Sequence, residues 1–94
     1  MSWEKILKRE SCCENAKNRV RSIFTDRIER IKRGDGFGSI ENERQNIETL
    51  EMLDCDELKD YLRYEVRRMK NDPTKDELLF KEILEEWNTC EDNR

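Results

Sequence analysis

The apolar positions between residues 13 and 31 carry the strongest pattern in the chain. Cys13, Ala16, Val20, Ile23, Phe24, Ile28 and Ile31 follow one another at steps of 3, 4, 3, 1, 4 and 3. That is the spacing of one face of an α-helix. At about 3.6 residues per turn the stretch makes roughly five turns, so the stripe stays on one side without drifting. It predicts the central helix of a small bundle.

Upstream of the stripe, Ser2 is placed to cap a short helix with Trp3, Ile6 and Leu7 on one face. Ser11 to Glu14 then reads as a capping box, with Ser11 at the cap and Glu14 reaching back, which restarts the chain after a bend. One helix from Ser2 to Arg33 is the rival reading, because Ile6, Cys13 and Val20 share a face. The central helix should stop near Arg33, where Lys32 and Arg33 suit its negative end and Gly34 suits the left-handed position after it. Gly34 to Ser39 holds all three glycines and reads as a loop, with Phe37 expected to tuck against the bundle end. Arg33-Gly34-Asp35 also spells the integrin-binding tripeptide, which the helix-stop role of the glycine explains as coincidence.

Ser39 is expected to cap a helix through about Leu53, on a thin stripe of Ile40, Ile47 and Leu50 with Glu43 filling one slot. Asp54 to Glu57 offers another capping box, opening a helix whose face is Leu58, Tyr61, Leu62, Val66 and Met69. Asp72 and Pro73 are read as cap and first helical residue of the last helix. Its face is Leu79, Phe80, Ile83, Leu84 and Trp87, with Cys90 in phase. Residues 88–94 are expected as a frayed tail. The chain is thus an all-α single domain, 1–94, a small antiparallel bundle of four to five short helices.

Composition narrows this picture. Leu, Ile, Val and Phe number 20 of 94 residues, near the level at which chains cease to fold. Yet 19 positive and 23 negative residues leave a net charge of only −4, so the charge imbalance that accompanies disorder is missing. No apolar run approaches the roughly 18 residues of a membrane span. Met1 to Glu10 has no apolar core of a secretory signal. The expectation is a cytoplasmic protein in which Cys12, Cys13, Cys55 and Cys90 are reduced thiols, Cys12 exposed and Cys13 a small buried hydrophobe. A secreted disulfide framework is the alternative, with three possible pairings.

Charge is segregated along the chain. Asn15 to Arg33 carries seven positives and two negatives, Glu41 to Asp60 two and eight, Tyr61 to Lys70 four and one, Asn71 to Arg94 three and eight. On the central helix Arg21 and Lys32 flank one edge of the stripe and Arg19 and Arg30 the other, the edges that meet neighbouring helices. Arg27 falls inside the stripe, and Glu65 falls inside the face of the Tyr61 to Met69 helix. Two opposite charges on packing faces predict an Arg27–Glu65 ion pair.

The functional expectation is a non-catalytic interaction or regulatory protein acting through protein contacts or self-association. Tyr64, off the apolar face of its helix, is the leading contact residue, and Arg19, Arg30 and Arg33 are further candidate contacts. Trp3, Tyr61 and Trp87 are expected to fill the core. The alternative is nucleic-acid binding through the basic helix 17–33. A second alternative, an Mg-dependent all-α nucleotide hydrolase, would use carboxylate pairs such as Glu48/Glu51, Glu57/Asp60 and Glu82/Glu86. The chain has no His, which removes Ser-His and Cys-His nucleophile pairs and Cys/His zinc sites. No catalytic residue, metal or cofactor is expected.

Overall fold

α1 runs unbroken from Trp3 to Lys32, followed by α2 (Ile40–Met52), α3 (Cys55–Arg67) and α4 (Lys75–Asp92). This computed structural model describes residues 3–92, and for residues 4–8 the backbone alone. Among the described residues there is no strand. Of the two readings of this stretch, a restart at Ser11 or one helix, the continuous helix is present. No Gly or Pro interrupts Trp3 to Lys32, and a serine inside a helix costs only a fraction of a kcal/mol. The adjacent Cys12 and Cys13 are both buried on the same helix, which fixes its path through that turn. The expected cap at Ser2 lies outside the described residues.

Local chemistry ends and starts the other helices. Gly34, at φ 82°, donates its N–H to the Ile31 carbonyl, and Asp35 donates to that of Arg30. This is the Schellman arrangement, and its left-handed residue suits glycine. Gly36 presses against the helix end: a Cβ there would lie 3.1 Å from the Ile31 nitrogen. With the turn pinned at Gly36, Phe37 is 100% exposed, which corrects its expected tuck against the bundle. The Ser39 hydroxyl accepts the Asn42 N–H at 3.1 Å. Asp54 and Glu57 form a reciprocal capping box. Asp72 and Pro73 do not open α4. Thr74 does, because Thr74 and Glu77 exchange two bonds, each 3.2 Å, between side chain and backbone, satisfying two N–H groups at once.

Of the tail expected to fray over residues 88–94, residues 88–92 are helical, and 93–94 lie outside the described residues. Cys90 is bridged to Cys12. Glu91 accepts from Lys59 Nζ at 2.9 Å and from the Trp87 indole N–H at 2.6 Å. These ties hold the last turn of α4 in place.

The cysteines are paired, Cys12 with Cys90 and Cys13 with Cys55, at Cα separations of 5.9 and 5.7 Å. None is free. The expectation of reduced thiols with Cys12 exposed is thereby overturned: Cys12 is 1% exposed. Neighbouring positions on a helix point about 100° apart, so Cys12 and Cys13 face two different partners, α4 and α3.

The contacts fix which ends meet. Near the start of α1, Cys12 joins the end of α4 and Cys13 the start of α3. Near its end, Arg27 reaches Asp76 at the start of α4 and Glu43 at the start of α2. The core between them is Val20, Ile23 and Phe24 of α1, Leu50 of α2, Leu58 and Leu62 of α3, and Phe80, Ile83 and Trp87 of α4. The Phe80 ring sits edge-on to Tyr61 at 5.9 Å between centroids. Of the predicted stripe, Cys13 through Ile28 is buried and Ile31 is half-buried.

The fold measures 49 × 30 × 18 Å. α1 sets the long dimension, since 30 residues at 1.5 Å each make about 45 Å. Its first turns reach past the core, and Trp3, expected inside, is 77% exposed.

Candidate functional site

The cations of α1 are turned toward its neighbours. Arg19 donates to Glu86 and lies 3.6 Å from Glu82, both on α4. Arg21 Nε donates to Glu51 of α2 at 2.6 Å, and Lys17 donates to the Leu53 carbonyl at 3.3 Å. Arg30 lies 3.4 Å from Asp76 of α4 and 3.2 Å from Asp26 on its own helix. Lys32 pairs with Glu29 at 3.6 Å. Hydrogen bonding and the charge of Glu86 raise the Arg19 pKa further. The same hydrogen bond holds the Glu86 carboxyl below its ordinary value.

Arg27 sits where three helices meet. Its Nε donates to Asp76 Oδ2 at 2.7 Å, its Nη1 lies 3.6 Å from Glu43 Oε2, and its guanidinium carbon is 5.4 Å from the Phe24 ring centre. Glu43 is only 6% exposed, and the Asp76 side chain 17%. Burial works against the charge on Arg27, but the hydrogen bond and charge of Asp76 and the charge of Glu43 outweigh it, so its pKa is raised. The expected partner was wrong: Glu65 pairs with Arg68 on its own helix at 3.7 Å. α2 and α4 both begin beside the last turns of α1. They deliver Glu43 and Asp76 to Arg27 directly, and Glu65 is not needed there. The signal available in the sequence was Glu43 itself, the charge that interrupts the stripe of α2.

Tyr61 lies beside this cluster. Burial, then the charge of Glu65, pushes its hydroxyl up to about 12. The fold therefore favours the neutral phenol over the unfolded chain, whose tyrosine titrates near 10. Stability from this source is complete below about pH 10 and falls as pH rises from about 10 through about 12. Urea unfolding across that alkaline range should show a loss that Tyr61→Phe abolishes. The same loss in the variant would mean that another group governs it.

What remains outside these pairs is a cationic bundle end. Among the described residues, Arg33, Arg44, Arg67, Lys70 and Lys75 are exposed and form no ion pair. All belong to the end where α1 and α3 finish and α2 and α4 begin. Tyr64, in the last turns of α3, is 54% exposed, and Phe37 and Leu78 lie exposed at the same end. The Arg68 guanidinium stands 5.5 Å from the centre of the Tyr64 ring, a cation–π contact that leaves the outer ring face open. Of the four contact residues predicted from sequence, Tyr64 and Arg33 belong to this end, while Arg19 and Arg30 are engaged with α4. Sequence reading missed Phe37, Arg44, Arg67, Lys70 and Lys75, because periodicity does not reveal which helix ends gather.

Of the carboxylates considered for magnesium, all but Glu48 are engaged elsewhere. Glu51 holds Arg21, Glu57 caps α3, Asp60 lies 3.3 Å from Arg63, and Glu82 and Glu86 hold Arg19. Among the described residues no group of three or more His, Cys, Asp or Glu is placed to hold a metal ion. A groove of about 230 Å³ between α1 and α4 is lined by Arg19, Asp26, Asp76 and Ile83. A wider one of about 470 Å³, where α1 meets α3 and α4, is lined by Arg9, Lys59, Arg63, Trp87 and Glu91, and Arg9 donates to Asp56 of α3 at 2.6 Å. Their charged groups are nearly all members of the pairs above. Among the described residues no helix is long and apolar enough to cross a membrane.

No family model matches the chain, and neither a curated protein nor a solved structure is significantly similar to it.

Proposed function

We propose that this chain is a small non-catalytic binding module, an antiparallel four-helix bundle that acts through protein–protein contacts at its cationic end. The observation that carries the reading is Tyr64. It is an aromatic side chain, half open to solvent and backed by Arg68, on a bundle end where Arg33, Arg44, Arg67, Lys70 and Lys75 form no ion pair among the described residues. Tyr and Arg are the residue types that dominate contact energy at interfaces. Nucleic-acid binding through helix 17–33 loses support, because most of the cations it would use already face carboxylates of the fold. Hydrolysis through magnesium loses support for the corresponding reason on the acidic side.

Reduced thiols were the expected consequence of a cytoplasmic placement. Four paired cysteines favour an oxidising compartment instead, since disulfides are rare where glutathione and thioredoxin keep thiols reduced.

Affinity capture from the native cell, with and without nuclease, tests the function. Wild type and Tyr64→Ala should melt within about 0.5 kcal/mol of each other, as an exposed substitution does. A nuclease-resistant protein should be retained by the wild type and lost by at least about tenfold in the variant. Retention that vanishes with nuclease, or is indifferent to Tyr64, would refute the reading.

A further inference from the structure

We propose that the two ends of the bundle are complementary docking surfaces, so that a second copy of this chain stacks head to tail on the first. The inference rests on the protein-contact reading above and names the partner.

The ends of the 49 Å long molecule carry opposite residual charge. At one end are the five unpaired cations, with Phe37 and Tyr64 as exposed aromatic anchors. At the other, where α1 begins, α2 passes into α3 and α4 finishes, the exposed carboxylates of Glu10, Glu14, Glu48 and Asp92 make no ion pair among the described residues. Exposed Trp3 and Met52 lie there as apolar anchors. The ends are several screening lengths apart at physiological salt, where the Debye length is about 8 Å. Each therefore presents its own field.

The geometry selects the mode of association. A two-fold dimer through either end would set like charge on like charge. Translation of one copy along the long axis sets cationic end against acidic end, with an aromatic anchor on each side. Such a contact is heterologous, and it propagates into a filament or closes into a ring. Asp35, Glu41 and Asp72 are interspersed at the cationic end, which suits a protein surface offering both signs better than a uniformly anionic nucleic acid.

Sedimentation velocity across a concentration series, at about 20 mM and about 500 mM NaCl, tests this. At low salt the average mass should rise with concentration beyond the dimer. At high salt it should fall back toward the 11.5 kDa monomer. Two charge-reversed variants sharpen the test: Arg67→Glu with Lys70→Glu at one end, and Glu48→Lys with Asp92→Lys at the other. All four positions are exposed. Each variant alone should associate less than the wild type, because one pair of reversals turns the cationic end acidic and the other cancels the charge of the acidic end. Mixed one to one, the two variants should form a heterodimer, through the intact cationic end of one and the intact acidic end of the other. A wild type that stays monomeric at both salts, or one whose mass stops at the dimer, would overturn the proposal, as would association indifferent to both variants. A monomer that still captures a nuclease-resistant protein through Tyr64 would sink the stacking and leave the protein-contact reading intact. The salt series on the wild type stands even if a variant fails to fold.

Discussion

Reduction of the two disulfides is expected to lower the melting temperature by about 20 °C or more. The bridges close loops of 78 and 42 residues in sequence separation. Chain-entropy arguments assign these about 4.5 and about 4 kcal/mol. The second loop is nested inside the first and shares its α1 anchor, so the two contributions do not add in full. A domain of this size has only about 5–15 kcal/mol in total, and each kcal/mol moves the melting point by about 4–8 °C. The dependence is heightened by the thin core, because small domains often rely on such staples. Calorimetry with and without a phosphine reductant measures the effect. Cys12→Ala with Cys90→Ala should cost somewhat more than Cys13→Ala with Cys55→Ala, following loop length. A shift below about 5 °C on full reduction would mean that helix packing alone holds the bundle.

Loss of the Arg27 guanidinium is the second large effect. Arg27→Met should destabilise by about 3–5 kcal/mol, because it leaves Glu43 buried with no opposite charge and Asp76 with Arg30 alone. Most of that cost is the stranding of carboxylates, not the worth of the pair. The triple variant Arg27→Met, Glu43→Leu, Asp76→Leu should therefore recover to within about 1 kcal/mol of the wild type or exceed it. Urea unfolding of the series distinguishes the two partners proposed for Arg27. A double-mutant cycle of Arg27 with Asp76 should give a coupling of at least about 1 kcal/mol, and one of Arg27 with Glu65 less than about 0.5. The reverse ranking would restore Glu65 as the partner and invalidate the geometry at this three-helix junction.

These two effects mark where sequence reading succeeds and where it stops. The face from Cys13 to Ile28, the Gly34 stop and the caps at Ser39 and Asp54 follow from spacing and side-chain chemistry within a few residues, and all are present in the fold. That Arg27 would carry a buried pair was legible too, because a charge inside an apolar stripe needs a counter-charge. Its partner was not. Helical phase says which way a side chain points and leaves open which turn of which neighbour it meets. Glu43 carried the same anomaly on a weaker stripe. The cysteine pairing was not legible: the sequence left three pairings open, and the way the helix ends meet decides among them. The expectation of free thiols came from an expected compartment, which does not bear on proximity in the fold. Phe37 failed for a local reason, the close approach of Gly36 to the end of α1. The cationic end was invisible because Arg33, Arg44, Arg67 and Lys75 are distant in sequence and are gathered only by the way the helix ends meet.

A disulfide map of the protein isolated without reductant bears most directly on the whole account. Alkylation before and after reduction counts free thiols, and peptide fragmentation between residues 12 and 13 tells apart the two bonds that share one α1 peptide. The arrangement of α1, α3 and α4 described here requires no free thiol and the bonds Cys12–Cys90 and Cys13–Cys55. Four alkylatable thiols, or the crossed bonds Cys12–Cys55 and Cys13–Cys90, would contradict it.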